Sequence, residues 1–404
     1  MTRAPISPSY KWYAVGMLWW IAFFNYADRQ AIFSVFPLLE REFSLDPVQL
    51  GLLGSSFAWV YGLCAPFAGG IVDRVRRKVA ILAGLEAWSV ICMATPLAHG
   101  FRALVGFRAA EGIGETFYFP ASMSFLSAYH GPETRSRALG LHQTSVYVGT
   151  IGGGFFAGLI GQNYGWRWSF IVFGALGALL GFALNRWLVE PPVPTAKTMP
   201  VFQGVAGIWR NPRAVLLMAA FLCANFVALV LLSWMPAFLF EKFHLSLAAS
   251  GLAATLFVQL ASMAGAQLGG WMADAWSAKM PAGRIVVQAI GLLCGAPFVV
   301  LCGWTRSVPI LIIALTCWGL FKGIYDANIF AAIFDVIPEQ TRGTAAGFMN
   351  MIGWLGGGAA PLVVGYVARR YNLSLAISLA AVVYLIGAAL LGLAALYTRH
   401  NRSI

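Results

Sequence analysis

The chain has 404 residues, of which 59% are hydrophobic and only 10% charged, and its mean hydropathy is +0.74. Soluble domains carry about 25% charged residues, so a water-soluble globular fold is excluded. The formal net charge of +12 does not point to nucleic acid, because the basic residues sort to one side of the apolar runs described next.

The first dozen residues hold Arg3, Lys11 and two prolines and lead into an apolar run with no small-residue cleavage site, so no removed leader is expected. A bilayer core of about 30 Å needs about 20 mostly apolar residues per helix. In chain order such runs fall at Trp12–Pro37, Leu50–Val72, Val79–Leu97, Ala103–Ala128, Ala138–Ile160 and Trp168–Leu188. The second set falls at Ala214–Leu239, Ala248–Ala273, Ile285–Trp304, Val308–Phe334, Thr344–Val367 and Leu375–Tyr397. Between the sets lies the longest polar stretch, with Pro191, Pro192, Pro194, Lys197, Pro200, Arg210 and Pro212. The predicted fold is therefore an all-α polytopic membrane protein of twelve helices in two six-helix halves, 1–190 and 214–404, joined by a linker over 191–213. If both termini are cytoplasmic, 17 of the 27 Lys and Arg fall inside, 7 outside and the remaining 3 within spans, which fits the positive-inside rule.

The halves echo one another. Gly69-x-x-x-Asp73 recurs as Gly270-x-x-x-Asp274, Arg135-x4-Gly140 as Arg342-x4-Gly347, and Gly152-Gly153-Gly154 as Gly356-Gly357-Gly358, at offsets of 201, 207 and 204. Three ordered matches at nearly one spacing indicate a duplicated unit. Cys64, Cys92, Cys223, Cys294, Cys302 and Cys317 all lie in apolar runs with no CxxC pair, so neither disulfides nor a metal site is expected. No GxxxxGK(S/T) loop supports an ATP-driven pump, no HExxH or GxSxG supports hydrolysis, and no cofactor is expected.

Eight ionisable residues sit within the apolar runs: Asp28, Arg29, Glu86, Arg108, Glu111, Glu115, Lys322 and Asp326. Each costs roughly 2.5–3.5 kcal/mol at mid-bilayer on insertion scales, so they must pair or face a watery cavity. Arg108, Glu111 and Glu115 stand at i, i+3 and i+7, stacked on one face with Tyr118 and Ser122, and that face cannot look at lipid. Asn25 and Arg29 share a face, whereas Asp28 and Arg29 are about 100° apart and each needs a partner on another helix. Lys322 and Asp326 at i, i+4 satisfy each other locally, with Tyr325 and Asn328 adjoining them. His142 sits beside Gln143, a candidate cavity residue, and a lone histidine there reads as packing. Arginine suits anion binding because its planar fork matches a carboxylate, and a carboxyl in a dry pocket can exchange a proton near neutral pH. The expected chemistry is proton-coupled passage of an organic anion.

Two repeated six-span halves, with the loop Gly69-Gly70-Ile71-Val72-Asp73-Arg74-Val75-Arg76-Arg77-Lys78, resemble the major facilitator superfamily. The departure is Arg76, where the commonest pattern has glycine. The resemblance implies a gate at the cytoplasmic end in which Gly69, Asp73, Arg74, Arg77, Lys78 and Asp274 hold the halves together. More narrowly, Asn25-Tyr26-Ala27-Asp28-Arg29, the Arg108 to Glu115 spacing, Phe119-Pro120-Ala121 and Gly165-Trp166-Arg167-Trp168-Ser169-Phe170 resemble the anion:cation symporter branch, which carries sugar acids and other organic anions. That branch implies Arg29 as the substrate-binding arginine, Tyr61 as a donor to substrate, Asp28 and Glu115 as proton-coupling carboxylates, and Arg108 as the partner that tunes Glu115. Glu111 is a further proton-coupling candidate, and Asn25, Arg108, Tyr118, Gln143, Tyr325 and Asn328 complete the candidate substrate site. The Spinster-like branch, implicated in lysolipid export, shares the first-span motif, Gly112-Ile113-Gly114-Glu115 and Ala65-Pro66. An amphiphile exporter therefore stays open, as does a carrier of a neutral sugar, nucleoside or drug. The expected partners are a small organic anion, protons and the bilayer of the cell membrane, the carrier acting as a monomer.

Overall fold

The structure, a computed structural model, describes residues 9–72, 74–191, 208–338 and 342–400. Asp73 of the loop motif, linker residues 192–207 and the basic terminal residues Arg3 and Arg402 lie outside the described residues. Among the described residues there are helices and no strands. In chain order they are α1 (Tyr10–Ser34), α2 (Phe36–Phe43), α3 (Pro47–Val72), α4 (Arg77–Ala94), α5 (Phe101–Thr116), α6 (Tyr118–Tyr129), α7 (Pro132–Tyr164) and α8 (Trp166–Trp187). The second half gives α9 (Pro212–Phe243), α10 (Leu247–Ser277), α11 (Gly283–Trp304), α12 (Val308–Asp326), α13 (Ile329–Val336), α14 (Arg342–Arg370) and α15 (Leu373–His400).

Three spans read from sequence as single helices are broken ones: α1 with α2, α5 with α6, and α12 with α13. A proline lacks an N–H and its ring crowds the carbonyl four residues earlier. Pro37 and Pro120 therefore act on Phe33 and Thr116, within one residue of where α1 and α5 end. The third break falls at Ala327 and Asn328 without a proline. Counted as continuous rods, the helices of the described residues number twelve, consistent with the twelve expected spans. Among the described residues ten helices pass by length and apolar composition alone. The two rods that do not are the first and the fourth, which carry Asp28, Arg29, Arg108, Glu111 and Glu115.

Within the first half α3 packs on α5 and α4 on α8; within the second α10 packs on α12 and α11 on α15. The halves meet along α3 against α14 and α7 against α10. The duplication shows in the backbone as well. Among the described residues the non-glycine residues with positive φ are Ser44 (51°) and His244 (55°), 200 positions apart, each ending the rod before a tight connection. Two residues on, Asp46 Oδ1 accepts from Gln49 N at 2.8 Å and Ser246 Oγ accepts from Ala249 N at 3.2 Å, so the same helix cap recurs in both halves.

The two ends of the molecule differ. At the end away from the basic α3–α4 loop, Gly51 lies against the backbone of Pro361, and a Cβ on Gly154 would come within 2.6 Å of the Gly251 carbonyl. Leu362 N donates to Ser55 Oγ (3.2 Å) and Arg369 pairs with Asp46 (3.2 Å), both across the halves, while Trp234 Nε1 donates to Pro361 O (3.0 Å) within the second half. At the basic end nothing approaches where a Cβ would stand on Gly69, Gly70, Gly140 or Gly347. The interface is thus sealed at one end and unzipped at the other. Replacing Gly154 by valine should prevent the α7–α10 closure, because backbone atoms occupy the space its side chain needs. Spin labels at Asn163 and Ala249 should then shift from one short distance to a longer, broader distribution in electron double resonance.

Candidate functional site

A cavity of about 530 Å³ lies between the halves at the level of the buried charges, in the size range of small-molecule sites. The first half lines it with Tyr26, Arg29, Phe57, Tyr61, Arg108, Gln143 and Tyr147, and the second with Asn225, Leu229, Gln259, Lys322, Tyr325, Asp326, Asn350 and Trp354. Of the eight ionisable residues within the apolar runs, Arg29, Arg108, Lys322 and Asp326 line it, brought together from rods distant in sequence, whereas Asp28, Glu86, Glu111 and Glu115 do not.

Arg29 Nε donates to Glu115 Oε2, joining the first rod to the fourth, and both side chains are buried. The guanidinium is also enclosed by rings: Tyr26 and Tyr61 at 4.6 Å, Phe57 at 5.2 Å and Trp354 at 5.3 Å from its carbon. Such contacts hold a cation without neutralising it. Arg29 Nη1 has no hydrogen-bond partner, which leaves one arm of the fork unused. Arg108 Nη1 donates to Glu111 Oε2 and its carbon stands 4.7 Å from the Phe57 ring. Glu111 also accepts from Thr95 Oγ1 at 3.4 Å.

The pairing thus differs from the expected one: Glu115 bonds to Arg29, and Arg108 to Glu111. An i, i+3 partner is within reach of Arg108 on its own helix, whereas Glu115 sits one turn further along and meets α1 instead. Asp28 is buried at 4% exposure, makes no ion pair among the described residues, and its Oδ1 is unpartnered. Glu86 is half-buried and likewise makes no ion pair among the described residues.

Three candidates for substrate contact fall outside the cavity wall, as do the proton-coupling candidates Asp28, Glu111 and Glu115. Tyr118 donates its hydroxyl to Leu18 O (2.6 Å) and meets His142 Nε2 (2.9 Å), so it ties α6 to α1 and α7. Asn328 Nδ2 donates to Gly269 O (3.1 Å) and Ile324 O (3.2 Å), bridging α10 and the break after α12. Asn25 is 1% exposed with Nδ2 unpartnered, and it does not line the cavity. Each shares a helical stripe with a charged residue, but a stripe is wider than the opening. Sequence reasoning in turn passed over Trp354, which reaches Arg29 from the other half and lies 4.7 Å from the Tyr61 ring. A tryptophan in an apolar helix carries no local signal of such a role.

The sequence matches the family model of the Major Facilitator Superfamily over residues 18–361, and again over 238–403. The chain belongs to the Major Facilitator Superfamily. A probable chloroplastic anion transporter of Oryza sativa subsp. japonica is 28% identical over 372 residues, covering 86% of this chain, which spans 62% of that protein's length. A D-galactonate transporter of Escherichia coli O6:H1 is 26% identical over 402 residues, with 90% of each chain covered. The crystal structure of a bacterial homologue of the human lysosomal transporter Spinster, inward-facing and unoccupied, superposes with a TM-score of 0.86 at 22% identity, covering 96% of this chain and 98% of that one. The fold is thus the Major Facilitator fold, and the chain is a multi-pass membrane transporter and not an enzyme.

As a Major Facilitator protein it would be expected to lock its basic end with the α3–α4 loop. Here Arg74 is exposed, and Glu190 accepts from the backbone N–H groups of Arg77 (2.9 Å) and Lys78 (2.8 Å), capping the positive end of α4 within the first half. Asp274 pairs with Arg284 (3.1 Å), which also pairs with Asp335 (2.5 Å), within the second half. Gly69 has open space around it. Among the described residues no ion pair joins the halves at this end, in keeping with the unzipped interface. The buried Arg108–Glu111 pair yields a stability test. Removing one partner from a buried pair costs about 3–5 kcal/mol. Glu111→Leu should therefore lower the thermal unfolding midpoint in detergent sharply, and adding Arg108→Met should recover most of the loss.

Proposed function

We propose that this chain is a secondary active transporter that carries a small organic anion, a sugar acid or similar carboxylate, together with protons by alternating access. It works as a monomer in the cell membrane with both termini cytoplasmic, and its halves 1–190 and 214–404 rock about the linker over 191–213. The observation that carries this reading is Arg29 at the cavity wall, paired behind it with the buried Glu115 and with one arm of the guanidinium unfilled.

An arriving carboxylate takes the guanidinium fork bidentately, the strongest geometry open to it, and competes with Glu115 for it. Once displaced in a dry site, the Glu115 carboxylate is an uncompensated charge until it accepts a proton. Proton and anion therefore favour one another's binding: each removes the obstacle to the other, which is positive coupling between two ligands. Asp28, buried beside Arg29 and without an ion pair, is the second proton-coupling carboxylate. Tyr61, Arg108, Gln143 and Tyr325 line the cavity where they would contact substrate. The similarity to a D-galactonate transporter over nine-tenths of both chains supports an anion of the sugar-acid kind. The sealed end would face outside, so this is the inward-open state.

A second reading, export of an amphiphile, rests on the apolar second-half wall formed by Phe221, Leu229, Leu232 and Phe330. The buried arginines of the first-half wall favour the anion. In proteoliposomes, sugar acids should raise external pH as protons enter with them; silence with every anion, with transfer of a labelled lysolipid, would establish the second reading. Arg29→Lys keeps the charge but loses the fork, and uptake should fall by about 100-fold or more, matching the roughly 3 kcal/mol of an unmade charged hydrogen bond. Glu115→Gln should abolish gradient-driven accumulation yet retain exchange of substrate for substrate. Retained accumulation would move the coupling proton to Asp28.

A further inference from the structure

The second half carries its own buried charges. Lys322 Nζ donates to Asp326 Oδ2 across one turn of α12, and both residues line the cavity on the wall opposite Arg29 and Arg108. Of the three intramembrane cation–carboxylate pairs among the described residues, this one is the most open. Its side chains are 14% and 28% exposed, against 9% and 0% for Arg29–Glu115 and 1% and 0% for Arg108–Glu111. A pair needed only to cancel two charges would be packed away as Arg108–Glu111 is. The same cavity is lined by uncharged polar side chains from three other rods of this half: Asn225 on α9, Gln259 on α10 and Asn350 on α14. Among the described residues none of the three has a hydrogen-bond partner, although Gln259 is only 5% exposed. Buried polar groups are normally hydrogen-bonded, so polar groups turned into a cavity without partners are donors and acceptors held ready for a ligand.

Resting on the anion reading above, we propose that Lys322 and Asp326 form the distal subsite of the cavity, which selects monocarboxylates with an uncharged, multiply hydroxylated tail and rejects a second carboxylate. The chemistry follows from the pair being neutral as a whole. A hydroxyl donates to Asp326 and accepts from Lys322 at once, so it inserts beside the ion pair without disturbing its charge. Asn225, Gln259 and Asn350 extend the same donor and acceptor pattern to neighbouring hydroxyls. A carboxylate at this end would face Asp326, with like charges close together in a poorly screened site, and would have to expel Asp326 to reach Lys322. An unhydroxylated tail would leave the polar groups desolvated and unmatched, a strong basis for rejection.

The test uses the purified full-length protein in detergent, titrated calorimetrically with galactonate, galactarate and hexanoate. The native chain should bind galactonate at least tenfold more tightly than either of the others. Asp326→Asn removes the repulsion and frees the ammonium, so galactarate should gain at least tenfold relative to galactonate. Should that variant fail to fold, Lys322→Met with Asp326→Leu removes both charges together, and the preference for galactonate over hexanoate should then fall at least tenfold. A folded variant of either kind whose relative affinities stay within twofold of the native ones overturns the subsite alone. If the native chain binds none of the three carboxylates, both the subsite and the anion reading fall.

Discussion

One bond between two helices, Arg29 to Glu115, governs what the rest of this molecule can do. It joins the first rod to the fourth inside a low-dielectric interior, where either charge left alone would be costly. The two rods that carry these charges are the two whose apolar content does not by itself suffice for a span. The first half must therefore assemble its inner charges into pairs to be stable in a bilayer. The same assembly places an arginine with an unfilled arm at the wall of a cavity, so the demand of the membrane and the demand of binding are met by one arrangement.

The second half solves the same problem by other means. Its charges sit at i, i+4 on one helix and need no partner from elsewhere. That local solution leaves the remaining rods of this half free to pack through glycines and apolar side chains. The contrast explains why the halves, alike in backbone down to the left-handed ends at Ser44 and His244, differ so much in their inner surfaces. Duplication supplies the frame, and each copy has placed its own charges within it.

Much of the frame was legible in the sequence, because a membrane span has a fixed length and a fixed polarity. The runs, the repeat of Gly69-x-x-x-Asp73 at Gly270-x-x-x-Asp274 and the shared face of Arg108, Glu111 and Glu115 are all properties of one helix or of spacing. The Lys322–Asp326 pair was legible for the same reason. The choice of Glu115 for Arg29 was not, since it depends on how α1 and α5 cross, and no spacing within either helix encodes a crossing. The same limit applies to Tyr118 and Asn328, whose hydrogen bonds hold neighbouring rods, and to Glu190, whose carboxylate caps a helix more than a hundred residues earlier. The breaks at Pro37 and Pro120 could have been read from proline chemistry, whereas the one at Ala327–Asn328 has no such mark.

Trp354 belongs to the second half, yet its ring stands over the guanidinium of Arg29 in the first. On the proposed anion reading, a ligand on the free arm of Arg29 would share this space with the indole or displace it. Occupancy and the grip between the halves are then not two events linked by a relay but rivals for one surface. What an affinity measurement reports for such a site is a difference, the attraction of the ligand less that of the indole it displaces. A carrier that worked in this proposed way would hold its cargo less tightly than its contacts alone allow, and the shortfall would be the energy that loosens one half from the other.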